Sequence, residues 1–160
     1  MKYLITFLVA TSIMAAIPSG KYKLDKIVCT SGKELKLGGK FMVYTVTLDV
    51  TASDMRMTAI AKSGSWAPFR IDCTQTNYGK YSMINGSSYQ GYLALENVAC
   101  NNQAWTNRLR KRPFGAQDTE VVHGYSVSGN SLQIKAMNTT NNFRSCEKTN
   151  SYPVYYYTKM

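Results

Sequence analysis

The chain has 160 residues, with 19 Lys and Arg against 9 Asp and Glu, a net charge of +10, and 44% hydrophobic residues. That length holds one ordinary domain and leaves too little for two, while 18% charged residues and only 4 Pro exclude a disordered polyelectrolyte or a collagen-like repeat. Twelve Tyr among abundant Thr, Val and Ser lean toward strand, because such side chains suit a pleated, half-buried surface.

Met1 and Lys2 form a short positive region ahead of the apolar run from Tyr3 to Ala16, which closes on small residues before Ile17-Pro18-Ser19-Gly20. This is the pattern of a secretory leader, and the run falls short of the ~20 apolar residues that a membrane helix needs. Cleavage after Ala15 or Ala16 is expected, which gives a signal peptide over 1–16 and a single domain over 17–160. No later stretch approaches spanning length. The expected product is secreted or periplasmic and does not cross a membrane.

Beyond the leader the chain alternates with period two. Lys21 to Cys29 begins the series, and Lys40 to Thr51 puts Met42, Tyr44, Val46, Leu48 and Val50 on one face. Met55, Met57, Ala59 and Ala61 share a face of the next segment, followed by Phe69, Ile71 and Cys73, and then by Tyr89, Leu93 and Leu95 around Gly91. Asn101 to Arg112 reads as a helical turn or a long loop. Val121, His123, Tyr125 and Val127 form another face, Ser128-Gly129-Asn130-Ser131 turns into Leu132 to Asn138, and Tyr152 to Lys159 closes the chain. Clean alternation implies antiparallel strands with one wet face.

Cys29, Cys73, Cys100 and Cys146 are an even set without C-x-x-C spacing, and the chain has a single His, which favours two disulfides over a metal site. Asn85-Gly86 is a two-residue hairpin signal. Pairing Ile84 with Ser87 sets Cys73 opposite Val98, within a bulge or a short slip of Cys100. The expected bridges are therefore Cys73–Cys100 and Cys29–Cys146. About eight hairpin-linked strands without long returns favour an all-β, antiparallel up-and-down barrel over a sandwich, since closure removes both edges.

Gly20-Lys21-Tyr22, the hairpin-linked strands, Ser131-Leu132-Gln133-Ile134, Cys146 and Val154-Tyr155-Tyr156-Tyr157 together resemble the small lipocalin-like barrels exported by bacteria. Tyr22 stands where typical lipocalins carry the Trp of Gly-x-Trp. The resemblance implies a cup with one closed end and a small apolar ligand inside.

His123 has no hydrolase, zinc, P-loop or dinucleotide motif around it, so no enzyme and no cofactor are expected. Tyr44, Met55, Met57, His123 and Tyr125 are the candidate ligand-binding residues: thioethers line adaptable apolar pockets, and phenols and an imidazole add polar contacts. A small apolar or amphipathic molecule is the expected partner. The rival is a protein-interaction or inhibitor module working at an anionic envelope surface through Trp105, Arg108, Arg110, Lys111 and Arg112, a cationic cluster beside an indole. Nucleic acid is not an expected partner, because no base-reading module is visible.

Overall fold

The computed structural model describes residues 16–38, 40, 42–111, 113–137, 146 and 150–160. Nearly all of the expected leader and Arg112 of the cationic cluster lie outside them. Among the described residues nine strands form: β1 Gly20–Cys29, β2 Glu34–Leu35, β3 Met42–Val50, β4 Asp54–Ser63, β5 Asp72–Asn85, β6 Ser88–Cys100, β7 Gln117–Ser128, β8 Ser131–Ala136 and β9 Pro153–Lys159. The helix α1 Gln103–Lys111 joins β6 to β7 and settles the choice between helical turn and long loop. Asn102 caps it, its Oδ1 accepting from the Ala104 amide at 2.8 Å.

Sequential antiparallel pairing from β3 to β9, with β1 bonded to both β3 and β9, closes eight long strands into an up-and-down barrel. The short β2 pairs with the far half of β1. Alternation delivers the expected inner faces: Val46, Leu48 and Val50 on β3 and Met55, Met57, Ala59 and Ala61 on β4 are all buried.

The β5–β6 hairpin differs from the simple reading by one residue. Asn85 pairs with Ser88, so Gly86-Ser87 is the loop, and the Asn85 Oδ1 accepts from the Ser87 amide at 2.9 Å. The Asn side chain spans the turn as an Asx bond instead of occupying it. Pairing then shifts at Ile84 and again at Glu96, and the second bulge reverses the parity of β6. Val98 and Cys100 thereby face inward, and Cys73 and Cys100 become direct partners. Phe69 and Ile71 were expected inside a strand, yet β5 starts at Asp72. The Ser63 hydroxyl donates to the Phe69 carbonyl and accepts from the Ile71 amide, holding the chain in a turn around Pro68.

Both expected sulfur pairs are at disulfide distance, with Sγ–Sγ of 2.10 Å for Cys29–Cys146 and 2.07 Å for Cys73–Cys100. Both lie at the end where the connections are long, which we call the rim. At the opposite end, the floor, two-residue loops link β5 to β6 and β7 to β8. Gly129 takes φ +56° in the second of these, a conformation that suits a tight hairpin. Ile17 folds under the floor into the main core, and the Tyr22 hydroxyl fixes that segment by donating to the Pro18 carbonyl at 2.7 Å.

Candidate functional site

The barrel interior is layered, and β5 displays the layers in order. Cys73 at the rim belongs to a small apolar cluster with Ala61 and Ile71, against which Met42, Tyr44, Trp105 and Leu109 pack. Next come Gln75 and Asn77, 2% and 0% exposed. Buried amides must find partners. They find them in the connection after α1, which dips into the barrel: both side-chain nitrogens donate to the Phe114 carbonyl, at 2.8 and 2.9 Å, and the Phe114 amide donates to the Gln75 Oε1 at 2.9 Å. Phe114 also stacks on Tyr44, with centroids 6.3 Å apart. Below this clamp, Gly79 and then Tyr81 continue the inner face toward the floor.

Two glycines shape what lies beneath. A β-carbon at Gly79 would sit 1.7 Å from the Tyr92 carbonyl oxygen, and one at Gly91 would sit 2.8 Å from the Lys80 oxygen, so β5 and β6 can approach this closely only because both side chains are missing. Immediately beyond, β6 and β7 part company. Gly91 pairs with Val121 but Leu93 pairs with Gln117, which leaves extra residues of β7 looped out of the ladder. The Glu120 carboxylate of that loop is held by the Gln90 side-chain amide at 2.7 Å.

A cavity of about 50 Å³ lies inside, running from this seam to the far wall. Leu48, Met55, Met57, Leu93 and Ile134 supply its apolar lining; Tyr81, Tyr89, Tyr155, Tyr157, Gln117 and His123 supply the polar groups. No Asp, Glu, Lys or Arg is among the described residues that line it. Burial pushes the phenols of Tyr89, Tyr155 and Tyr157 up, so all stay neutral hydrogen-bonding groups. The imidazole of His123 is driven down to about 4 by the same desolvation and is uncharged at neutral pH. It stacks on Tyr89 at 5.0 Å, and its Nδ1 is buried with no hydrogen-bond partner among the described residues.

Met55, Met57 and His123 therefore meet as anticipated. Tyr44 and Tyr125 do not line the cavity: Tyr44 sits above the amide clamp with Phe114, and Tyr125 packs toward Tyr89 within the core. Gln75, Asn77, Tyr81, Tyr155 and Tyr157 were not anticipated as site residues. Their signal was period two itself, since Ile71, Cys73, Gln75 and Asn77 share one face, as do Tyr155 and Tyr157.

The cationic cluster lies on α1 at the rim. Trp105 is half-buried between Phe69, 6.5 Å away, and the Arg108 guanidinium, 5.0 Å away, while Arg108, Arg110 and Lys111 are exposed. No helix among the described residues is long and apolar enough to cross a membrane.

No family model and no curated protein matches this chain. Among solved structures, a chain from the de novo design of a fluorescence-activating β-barrel is similar, with a TM-score of 0.41 and 10% identity over 89% of this chain and 93% of that one. The closed eight-stranded antiparallel barrel accordingly stands on the strand pairing of this chain itself.

Proposed function

We propose that the barrel binds a small, neutral, amphipathic molecule in its interior and releases it unchanged. The observation that carries this reading is the cavity's lining: an apolar wall opposite phenols and an imidazole, with no formal charge among the described lining residues to pair with an ionic ligand. Apolar enclosure with a few convergent polar groups is the ordinary chemistry of a ligand pocket. Turnover is disfavoured by the same residues, because an imidazole near 4 is a weak base at neutral pH and the neighbouring phenols are harder, not easier, to ionise. Two disulfides suit an oxidising compartment, and we place the protein outside the cytoplasm.

The cavity sets the ligand's size. A volume of about 50 Å³ holds roughly three to five waters, whereas a dry cavity of about 150 Å³ admits benzene. A ring-sized guest requires Met55 and Met57 to swing aside, which unbranched thioethers do readily. The Met57 Cε already faces the bare α-carbon of Gly115.

Native mass spectrometry of the disulfide-intact protein, with phenol, indole and short aliphatic alcohols as probes, tests the reading. Saturable uptake of a neutral probe is expected, abolished by Ile134→Phe and extended to larger probes by Met57→Ala. Absence of any retained mass together with unchanged melting temperature across the probe set would discard it.

A further inference from the structure

A second feature, independent of the cavity, lies on the rim. Three large apolar side chains project there without cover: Trp66 is 67% exposed, Phe69 54% and Val43 50%. They belong to one continuous surface. Val43 pairs across the ladder with Lys62, the neighbouring Ser63 hydroxyl donates to the Phe69 carbonyl, and Phe69 touches Trp105 of α1. The Lys40 ammonium lies 5.1 Å from the Trp66 ring centre, and the Trp66 amide donates to the Lys40 carbonyl.

The charge around these tips is mostly positive. Among the described residues, Lys40 ahead of β3, Lys62 near the end of β4, Arg70 in the β4–β5 connection and Arg108, Arg110 and Lys111 of α1 stand here, with Asp72 at the start of β5 as the acidic neighbour. Neither ion pair found among the described residues engages any of the six: Lys21–Asp49 and Arg56–Glu96 are both elsewhere. Aromatic tips beside cations that join no ion pair among the described residues match the chemistry of an anionic lipid surface, where rings enter the headgroup layer and cations neutralise phosphates.

We propose that this rim docks the protein on an anionic phospholipid bilayer, with Trp66 and Phe69 inserted and the six cations at the headgroups. The barrel then stands on its long-connection end, with the floor pointing away from the membrane. A polyanion such as nucleic acid would use the cations and leave Trp66 and Phe69 idle, which separates the two partners experimentally.

The test is partitioning of the protein, purified as its producing cell delivers it, onto phosphatidylcholine vesicles with and without about one-third phosphatidylglycerol. Binding is expected only to the anionic vesicles and should fall steeply as salt is raised from about 0.05 to about 0.5 M. Replacing Arg108, Arg110 and Lys111 together by Gln should weaken it about a hundredfold, at roughly fivefold per charge. Lys23→Gln with Lys80→Gln, on the floor half of the barrel, should change it little. Brominated acyl chains should quench tryptophan emission in the wild type and much less in Trp66→Tyr, and the double variant Trp66→Ser/Phe69→Ser should bind weakly at unchanged circular dichroism. The proposal is overturned by equal binding to neutral vesicles, by floor substitutions that weaken binding as much as rim ones, or by capture of a DNA oligonucleotide with no vesicle binding.

Discussion

The two ends of the barrel are held by different physics. The floor is closed by short-range chemistry: two-residue loops, a glycine at positive φ, and Ile17 tucked beneath the strands. At the rim, long connections are restrained by covalent and polar ties, with both sulfur pairs, the helix packed on its small apolar cluster, and the Gln75–Asn77 clamp on Phe114. Tight turns leave little surface to vary, whereas long connections carry recognition chemistry and need added restraint. Every exposed cation of α1 and the two most exposed rings of the barrel wall and loops lie at the restrained end.

Removing the Cys29–Cys146 pair should reveal this asymmetry most strongly. The bridge spans 117 residues, and on the chain-entropy account Cys29→Ser with Cys146→Ser should cost about 5 kcal/mol. Denaturant midpoints measure the loss, and hydrogen exchange should show it as faster opening of rim segments ahead of the floor hairpins.

The middle of the barrel answers to pH. His123 is held near 4 when folded against 6.5 as its ordinary value, so the unfolded chain binds its proton first as pH falls. Stability contributed by the neutral imidazole is full above about pH 6.5 and drains away toward pH 4, by about 3 kcal/mol. Urea titrations of wild type and His123→Gln between pH 7 and 4 should show a slope that the variant flattens.

Glycine substitutions sharpen the contrast between wall and floor. Gly79→Ala drives a β-carbon into the backbone of β6 and should cost about 3 kcal/mol, whereas Gly86→Ala in the floor turn meets open space and should be close to neutral by thermal melting. The smallest pair compares apolar side chains at the two ends. Ile17→Ala should lose about 2 kcal/mol, at the low end for a buried aliphatic because a segment ahead of the first strand can collapse into the gap. Trp66→Ala should stay within about 0.5 kcal/mol, since its ring is already wet.

Much of the barrel wall was legible in the residues. Met42 to Val50 and Met55 to Lys62 alternate without interruption, and the sulfur pairs followed from a hairpin register that erred by one turn residue and recovered through a bulge at Glu96. Bulges were not legible, because nothing in Glu96 itself announces an extra residue; it is exposed and paired to Arg56. The site was legible only in part. Met55, Met57 and His123 follow from strand parity, but Tyr44 is on the same inner face and still misses the cavity, because the Phe114 segment cuts across the barrel beneath it. Which layer a residue occupies depends on that inward dip of chain, and the dip depends on two amides far away in sequence.

The amide clamp also bears on how fast a guest could come and go. The Phe114 peptide is tied by three hydrogen bonds to side chains sealed from water. A molecule approaching from the rim would have to wait for that strap to let go, so its arrival would be limited by how often the strap opens, while the quality of its fit would still set how long it stays.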